Sequence, residues 1–155
     1  MMLERGYTIV ELLVVTTIVI ILASAVQPLA RVTIQRTREA ELRRVLREMR
    51  TAIDKFKDAV DVGQIAASDL EPGNEGYPPD LNTLVEGISA ANDASGRKLK
   101  YLRRIPIDPM TGKADWVFRS CYDPADSTSS GGENVFDVHS KSKGTALNGE
   151  KYSDW

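Results

Sequence analysis

The sequence predicts an α+β chain, with a long N-terminal helix and a small antiparallel sheet packed on the C-terminal half of that helix. Three observations carry this. From Tyr7 to Val26 the chain is free of charge except for Glu11. Beyond Pro28 neither Gly nor Pro occurs until Gly63, and Leu42, Val45, Leu46, Met49, Ile53, Phe56 and Val60 recur at steps of three and four, one apolar stripe on a helix. After Gly63, short apolar runs are separated by segments rich in Gly, Pro, Ser and Asp, which suits short strands and turns.

The N-terminal run comes first. Leu12 to Val26 carries no charge, and with Tyr7 to Val10 it reaches about the 20 residues that a spanning helix needs. A carboxylate in lipid is costly, so Glu11 needs a partner or a purpose. An ordinary secretory signal places a small-residue cleavage site after its apolar core, and Ala23-Ser24-Ala25 resembles one. A plain single-span anchor is the other simple reading. Glu11 counts against both, and helix-forming sequence continues past the run without a spacer.

A helix from about Thr8 to about Asp61 would be roughly 80 Å long at 1.5 Å per residue, so its first half is expected to project from a domain this small. The stripe from Leu42 to Val60 then packs on the sheet, while Arg43, Arg44, Arg47, Arg50, Lys55 and Lys57 lie mainly on the other faces. A coiled-coil partner is the rival use of the stripe, but it lasts less than three heptads and a domain follows directly.

The formal net charge of −2 hides a segregated pattern, with Arg31, Arg36, Arg38, Arg43, Arg44, Arg47 and Arg50 against Glu39, Glu41 and Glu48. Such a cluster can bind nucleic acid or anionic lipid. With Glu interleaved on a helix it reads instead as a solvated or packing face, and no nucleic-acid partner is expected.

In the remainder, Gly63 to Gly76 reads as a loop, and Pro78-Pro79-Asp80-Leu81-Asn82-Thr83-Leu84-Val85-Glu86-Gly87 as a short helix with Asp80 at its N-cap and Gly87 near its C-cap. Ala90 to Lys98 is polar. Ala114 to Arg119 and Asn134 to Ser140 are strand candidates, giving two or three short antiparallel strands. The single cysteine, Cys121, excludes an intramolecular disulfide, and with one histidine a tetrahedral zinc site lacks its usual ligands. A Ser/His/Asp triad on His139 lacks any nucleophile motif around it, so the chain is not read as an enzyme.

The order Gly6, Tyr7, then Thr8-Ile9-Val10-Glu11-Leu12-Leu13 resembles the class III leader of type IV pilins and type II secretion pseudopilins. The resemblance implies a leader peptide over 1–6, a hydrophobic transmembrane and assembly helix over 7–30, and a pilin-like periplasmic domain over 31–155 that includes the second half of the helix. It implies that a prepilin peptidase cleaves between Gly6 and Tyr7 and N-methylates Tyr7, although the family's usual first residue is Phe. Pro28 falls where these proteins often carry a helix-bending Pro, whose ring removes one intrahelical hydrogen bond. In a filament, Glu11 would pair with the new ammonium on Tyr7 of a neighbouring subunit, replacing two buried lone charges with one neutralised contact.

Tyr77-Pro78-Pro79-Asp80-Leu81 with Leu84-Val85, then Tyr101-Leu102 with Ile105-Pro106-Ile107-Asp108-Pro109 and Gly112, is similar to the major pseudopilins of type II secretion. Those proteins hold calcium in a C-terminal loop, and here the nearest matches are Asp137, Ser140, Ser142 and Asp154. The centre of that loop is Lys141-Ser142-Lys143-Gly144, whose two Lys repel a cation, so the alternative is a loop held by Trp155 packing and turn hydrogen bonds alone.

The resemblance thus implies a single-pass inner-membrane subunit that polymerises into a periplasmic filament to drive protein export. Its partners would be further copies of itself, the prepilin peptidase, other pseudopilins, an inner-membrane assembly platform, and membrane lipid before assembly. A type IV or minor pilin of a surface filament is the alternative within the class. From another class, a single-span anchored periplasmic binding protein would keep Met1 to Gly6 and stay dispersed.

Overall fold

A computed structural model describes residues 8–91, 96–124, 127 and 131–155, with all their side chains except those of 25–29 and 67. The order is α1 (Ile9–Asp61), a 3-10 turn (Ala67–Asp69), α2 (Leu81–Glu86), β1 (Ile88–Ser89), β2 (Lys98–Leu99), β3 (Trp116–Arg119), β4 (Asp137–Ser140) and a 3-10 turn (Tyr152–Asp154). The chain is therefore α+β with a long N-terminal helix.

Helix α1 is continuous over 53 residues, as the absence of Gly and of any Pro but Pro28 predicts. It ends because Gly63 takes φ +74°, a left-handed conformation that costs glycine little, and the amides of Gln64 and Ile65 both donate to the carbonyl of Ala59. By compactness the chain divides into two units, Met1–Thr37 and Arg38–Trp155. The physical reason is packing. Side chains from Ala30 to Ile34 are exposed, whereas Glu39 and Leu42 are buried.

In the second unit the stripe does what its spacing predicts. Leu42, Val45, Leu46, Met49, Ile53 and Phe56 are buried in one core with Leu81 and Leu84 of α2, Trp116 of β3 and Val138 of β4, while Val60 is partly buried against it. Each such side chain contributes about 1.5–3 kcal/mol on burial, which makes the stripe the main attachment of the small elements to the helix. Phe56 and Tyr101 add an edge-to-face contact at 5.5 Å.

Asp80 caps α2, its Oδ1 accepting from the amide and the hydroxyl of Thr83, both at 2.7 Å. The sheet departs from expectation. Instead of one sheet there are two separate antiparallel pairs, β1 with β2 and β3 with β4. Strand β4 is shorter than Asn134–Ser140 because the amide of Val135 donates to the carbonyl of Pro78, and the side chain of Asn134 accepts from the amide of Cys121. Only from Asp137 does β4 pair regularly, with Trp116 opposite Ser140 and Arg119 opposite Asp137.

Candidate functional site

In the first unit the described apolar side chains have nothing covering them. Ile9 is 85 % exposed, Leu12 62 % and Leu22 65 %, and Val10, Leu13, Val14, Val15, Ile18, Val19, Ile20 and Ile21 are exposed as well. These positions include long consecutive runs, so the helix is apolar all round rather than along one stripe, the pattern of a helix meant to be buried on every side. Exposed apolar surface on this scale marks an interaction surface with lipid or protein.

The hydroxyls within the run do not spoil that surface. Thr16 Oγ1 donates to the carbonyls of Leu12 and Leu13 at 2.9 and 3.0 Å, Thr17 Oγ1 to Leu13 at 2.7 Å, and Ser24 Oγ to Ile21 at 2.7 Å. Each is satisfied by its own helix and needs no water.

Glu11 is then the one formal charge among the described side chains of the run. Its amide donates to Thr8 Oγ1 at 3.2 Å, which makes Thr8 the N-cap and places Glu11 in the first turn. The Thr-x-x-Glu spacing is a capping-box signal that the sequence reading passed over. A carboxylate there gains about 0.3–1 kcal/mol from the aligned peptide dipoles. Removing it from water costs several kcal/mol, so the local cap does not replace a countercharge.

The other expected N-terminal positions, Gly6 and Tyr7, lie outside the described residues, as does the side chain of Pro28, although α1 continues through that residue. Among the described residues no helix is long and apolar enough to cross a membrane, the described side chains of the apolar run stopping at Ser24.

In the second unit each of the four residues expected for calcium has a partner within the protein. Asp137 Oδ1 accepts from Arg50 Nε at 2.7 Å, and the hydroxyl of Ser140 donates to the fully buried Asp108 at 2.7 Å. Ser142 Oγ accepts from the amide of Gly144, and Asp154 Oδ1 from the hydroxyl of Ser153. Of the two carboxylates, Asp137 is paired with an arginine and Asp154 is not. Among the described residues no group of three or more His, Cys, Asp or Glu side chains could hold a metal.

The C-terminal segment is fastened to α1 by other means. Glu39, 6 % exposed, accepts through Oε1 from the amide of Leu147 and the hydroxyl of Tyr152, both at 3.0 Å. The guanidinium of Arg43 lies 4.0 Å from the ring centroid of Trp155, and that ring packs edge-to-face on Tyr152. Arg50 Nη2 donates to the carbonyl oxygens of Val138 and Trp155. Three helix residues one or two turns apart thus clamp the last stretch of chain. The sequence reading gave Trp155 and turn bonds this task and missed Glu39, whose partners stand more than 100 positions away.

The arginine cluster separates accordingly. Arg43 and Arg50 serve the clamp, and Arg44 holds Glu41 and Glu48 at 2.6 and 3.2 Å. Arg31, Arg36 and Arg38 are exposed and have no ion-pair partner among the described residues.

His139, the centre of the triad considered from the sequence, lies in β4. Its ring is buried in β4, with Nε2 at 3.3 Å from Asp137 Oδ2 at an angle that makes no hydrogen bond. Burial pushes its pKa below the ordinary imidazole value, outweighing the opposite pull of the Asp137 carboxylate. Cys121, half-buried, accepts from Asn134 Nδ2 at 3.2 Å. A groove of about 460 Å³ is lined by Glu41, Arg44 and Glu48, which pair with one another on the helix, and by Arg103 and Arg104, which have no ion-pair partner among the described residues.

Comparison with family models, curated proteins and solved structures gives no match for this chain.

Proposed function

We propose that the chain is a structural subunit of a membrane-assembled filament, of the type II secretion pseudopilin kind, which polymerises through the N-terminal half of α1 to drive protein export. The observation that carries this reading is the all-round apolar surface from Ile9 to Leu22 with one carboxylate, Glu11, in its first turn. A lipid-facing anchor would need the apolar surface but not the charge. A filament core needs both, since the charge selects subunits that bring a countercharge to it.

In this proposal the leader ends at Gly6, Tyr7 supplies the ammonium, and Glu11 of one subunit neutralises Tyr7 of the next. Lipid holds the subunit before assembly and neighbouring helices replace it afterwards. The head, which one cysteine cannot cross-link internally, is carried to the periplasmic side. The arginine-rich flank after the run opposes that translocation by charge bias, so delivery of the head requires assembly machinery rather than spontaneous insertion.

The test is Glu11→Ala, with Glu11→Gln beside it, scored for membrane extraction and for sheared filaments in the host. Breaking one side of a buried pair costs about 3–5 kcal/mol, so both variants stay membrane-bound and yield few or no filaments. Filaments at normal yield from Glu11→Ala would defeat the proposal. A dispersed single-span binding protein would show membrane retention and no filaments in wild type as well.

A further inference from the structure

We infer that Arg31 and Arg36 bind the headgroups of anionic phospholipids around the helix as it leaves the bilayer. This rests on the membrane-inserted reading above and adds the lipid class. Three observations place these residues apart from the other arginines. Both belong to the same unit as the apolar segment and both are exposed. Neither has an ion-pair partner among the described residues, whereas Arg44 and Arg50 each hold a carboxylate and Arg43 lies over Trp155.

The spacing matches a bilayer. From Ile9 to Arg31 a helix climbs about 33 Å at 1.5 Å per residue, against a hydrocarbon core about 30 Å thick. With Ile9 at one interface, Arg31 therefore arrives at the other. Arg36 stands about 7.5 Å further on, about 10 Å past the hydrocarbon boundary and so just outside a headgroup layer about 5–7.5 Å deep, from where its long side chain reaches back to the phosphates. The two residues are also about 140° apart around the helix, so they face different sides. A protein partner would meet one side; a ring of phosphates meets both. Guanidinium groups suit that ligand because their fork of donors matches phosphate oxygens. The net charge of the chain is −2, so any preference for anionic lipid must be local rather than a property of the whole molecule.

The experiment reconstitutes the full chain into phosphatidylcholine bilayers. It compares spin-labelled phosphatidylglycerol with spin-labelled phosphatidylcholine in the lipid shell around the protein. Wild type is expected to favour phosphatidylglycerol, by up to about fivefold per arginine at low salt, and less as salt screens the contact. The double variant Arg31→Gln/Arg36→Gln should insert equally well and lose the preference. An inserted wild type without preference, or a double variant that keeps it, overturns the inference and leaves the membrane reading standing. Arginine-dependent self-association in phosphatidylcholine without lipid preference also overturns it, and assigns the two residues to a second copy. Failure of wild type to enter any bilayer overturns the membrane reading itself.

Discussion

Glu39→Ala should unfasten the C-terminal segment from α1. Glu39 Oε1 accepts from Tyr152 Oη and from the Leu147 amide, both at 3.0 Å, and Glu39 and Tyr152 are only 6 % and 5 % exposed. A hydrogen bond to a charged acceptor contributes about 1.5–3 kcal/mol, and a buried donor left without a partner costs about 1–3 kcal/mol. Against this stands the relief of no longer burying a carboxylate, which offsets part of the loss. The net cost should be about 2–4 kcal/mol, a fall in Tm on the order of 10 °C for a domain of this size. Glu39→Gln keeps the acceptor oxygen at nearly the same volume and should cost about 1 kcal/mol or less. The assay is thermal unfolding of the full chain in detergent, followed by near-ultraviolet circular dichroism from Trp116 and Trp155. If Glu39→Ala costs under about 0.5 kcal/mol, or if Gln is as damaging as Ala, the hydrogen-bond argument is wrong.

Gly87→Ala should damage the β1–β2 pair in particular, since a Cβ there, at φ +81°, would stand 2.7 Å from the carbonyl oxygen of Leu99. Strain and backbone displacement together should cost about 2–3 kcal/mol, with faster hydrogen exchange at Tyr101 and Leu102, whose amides both donate to Leu84; unchanged exchange there would count against it. His139, whose pKa burial lowers while Asp137 raises it and Arg119 and Arg50 lower it further, should make the head acid-sensitive. The unfolded chain takes up a proton near the ordinary value of 6.5 and the folded chain only at lower pH, so stability is full above 6.5 and falls as pH drops below it. His139→Gln should flatten the Tm–pH curve between about 7 and 5, and an unaltered slope would refute the assignment. Millimolar calcium or a chelator should leave Tm unchanged, because Arg50 already holds Asp137; a calcium-dependent rise lost in Asp154→Ala would establish the metal site.

The parts of this molecule that were readable in advance are those whose signal is local. The three-and-four spacing from Leu42 to Val60 gave the buried face of α1, and Asp80 and Gly87 gave the ends of α2, because helix faces and caps are fixed within one turn. The β1–β2 pair was missed because strands of two residues, Ile88–Ser89 and Lys98–Leu99, are too short to show alternation. Their position is set by Gly87 and by contacts to Leu84. Asp108, in a Pro-flanked segment of the kind that forms turns, is fully buried, with its carboxylate accepting from the Met110 amide and the Ser140 hydroxyl. Glu39 looked like one of several charges interleaved with arginines, and only the return of the chain at Leu147 and Tyr152 buries it. For the N-terminal surface, composition alone indicated the apolar run. The cap from Thr8 to Glu11 is written there as well, in the Thr-x-x-Glu spacing.

The central claim is that Glu11 waits for a cation created by processing, and mass spectrometry of the protein isolated from host membranes tests it most directly. The account predicts a mature chain that begins at Tyr7 and carries one N-methyl group. A chain that retains Met1 to Gly6, or one cut near Ala25, would contradict it.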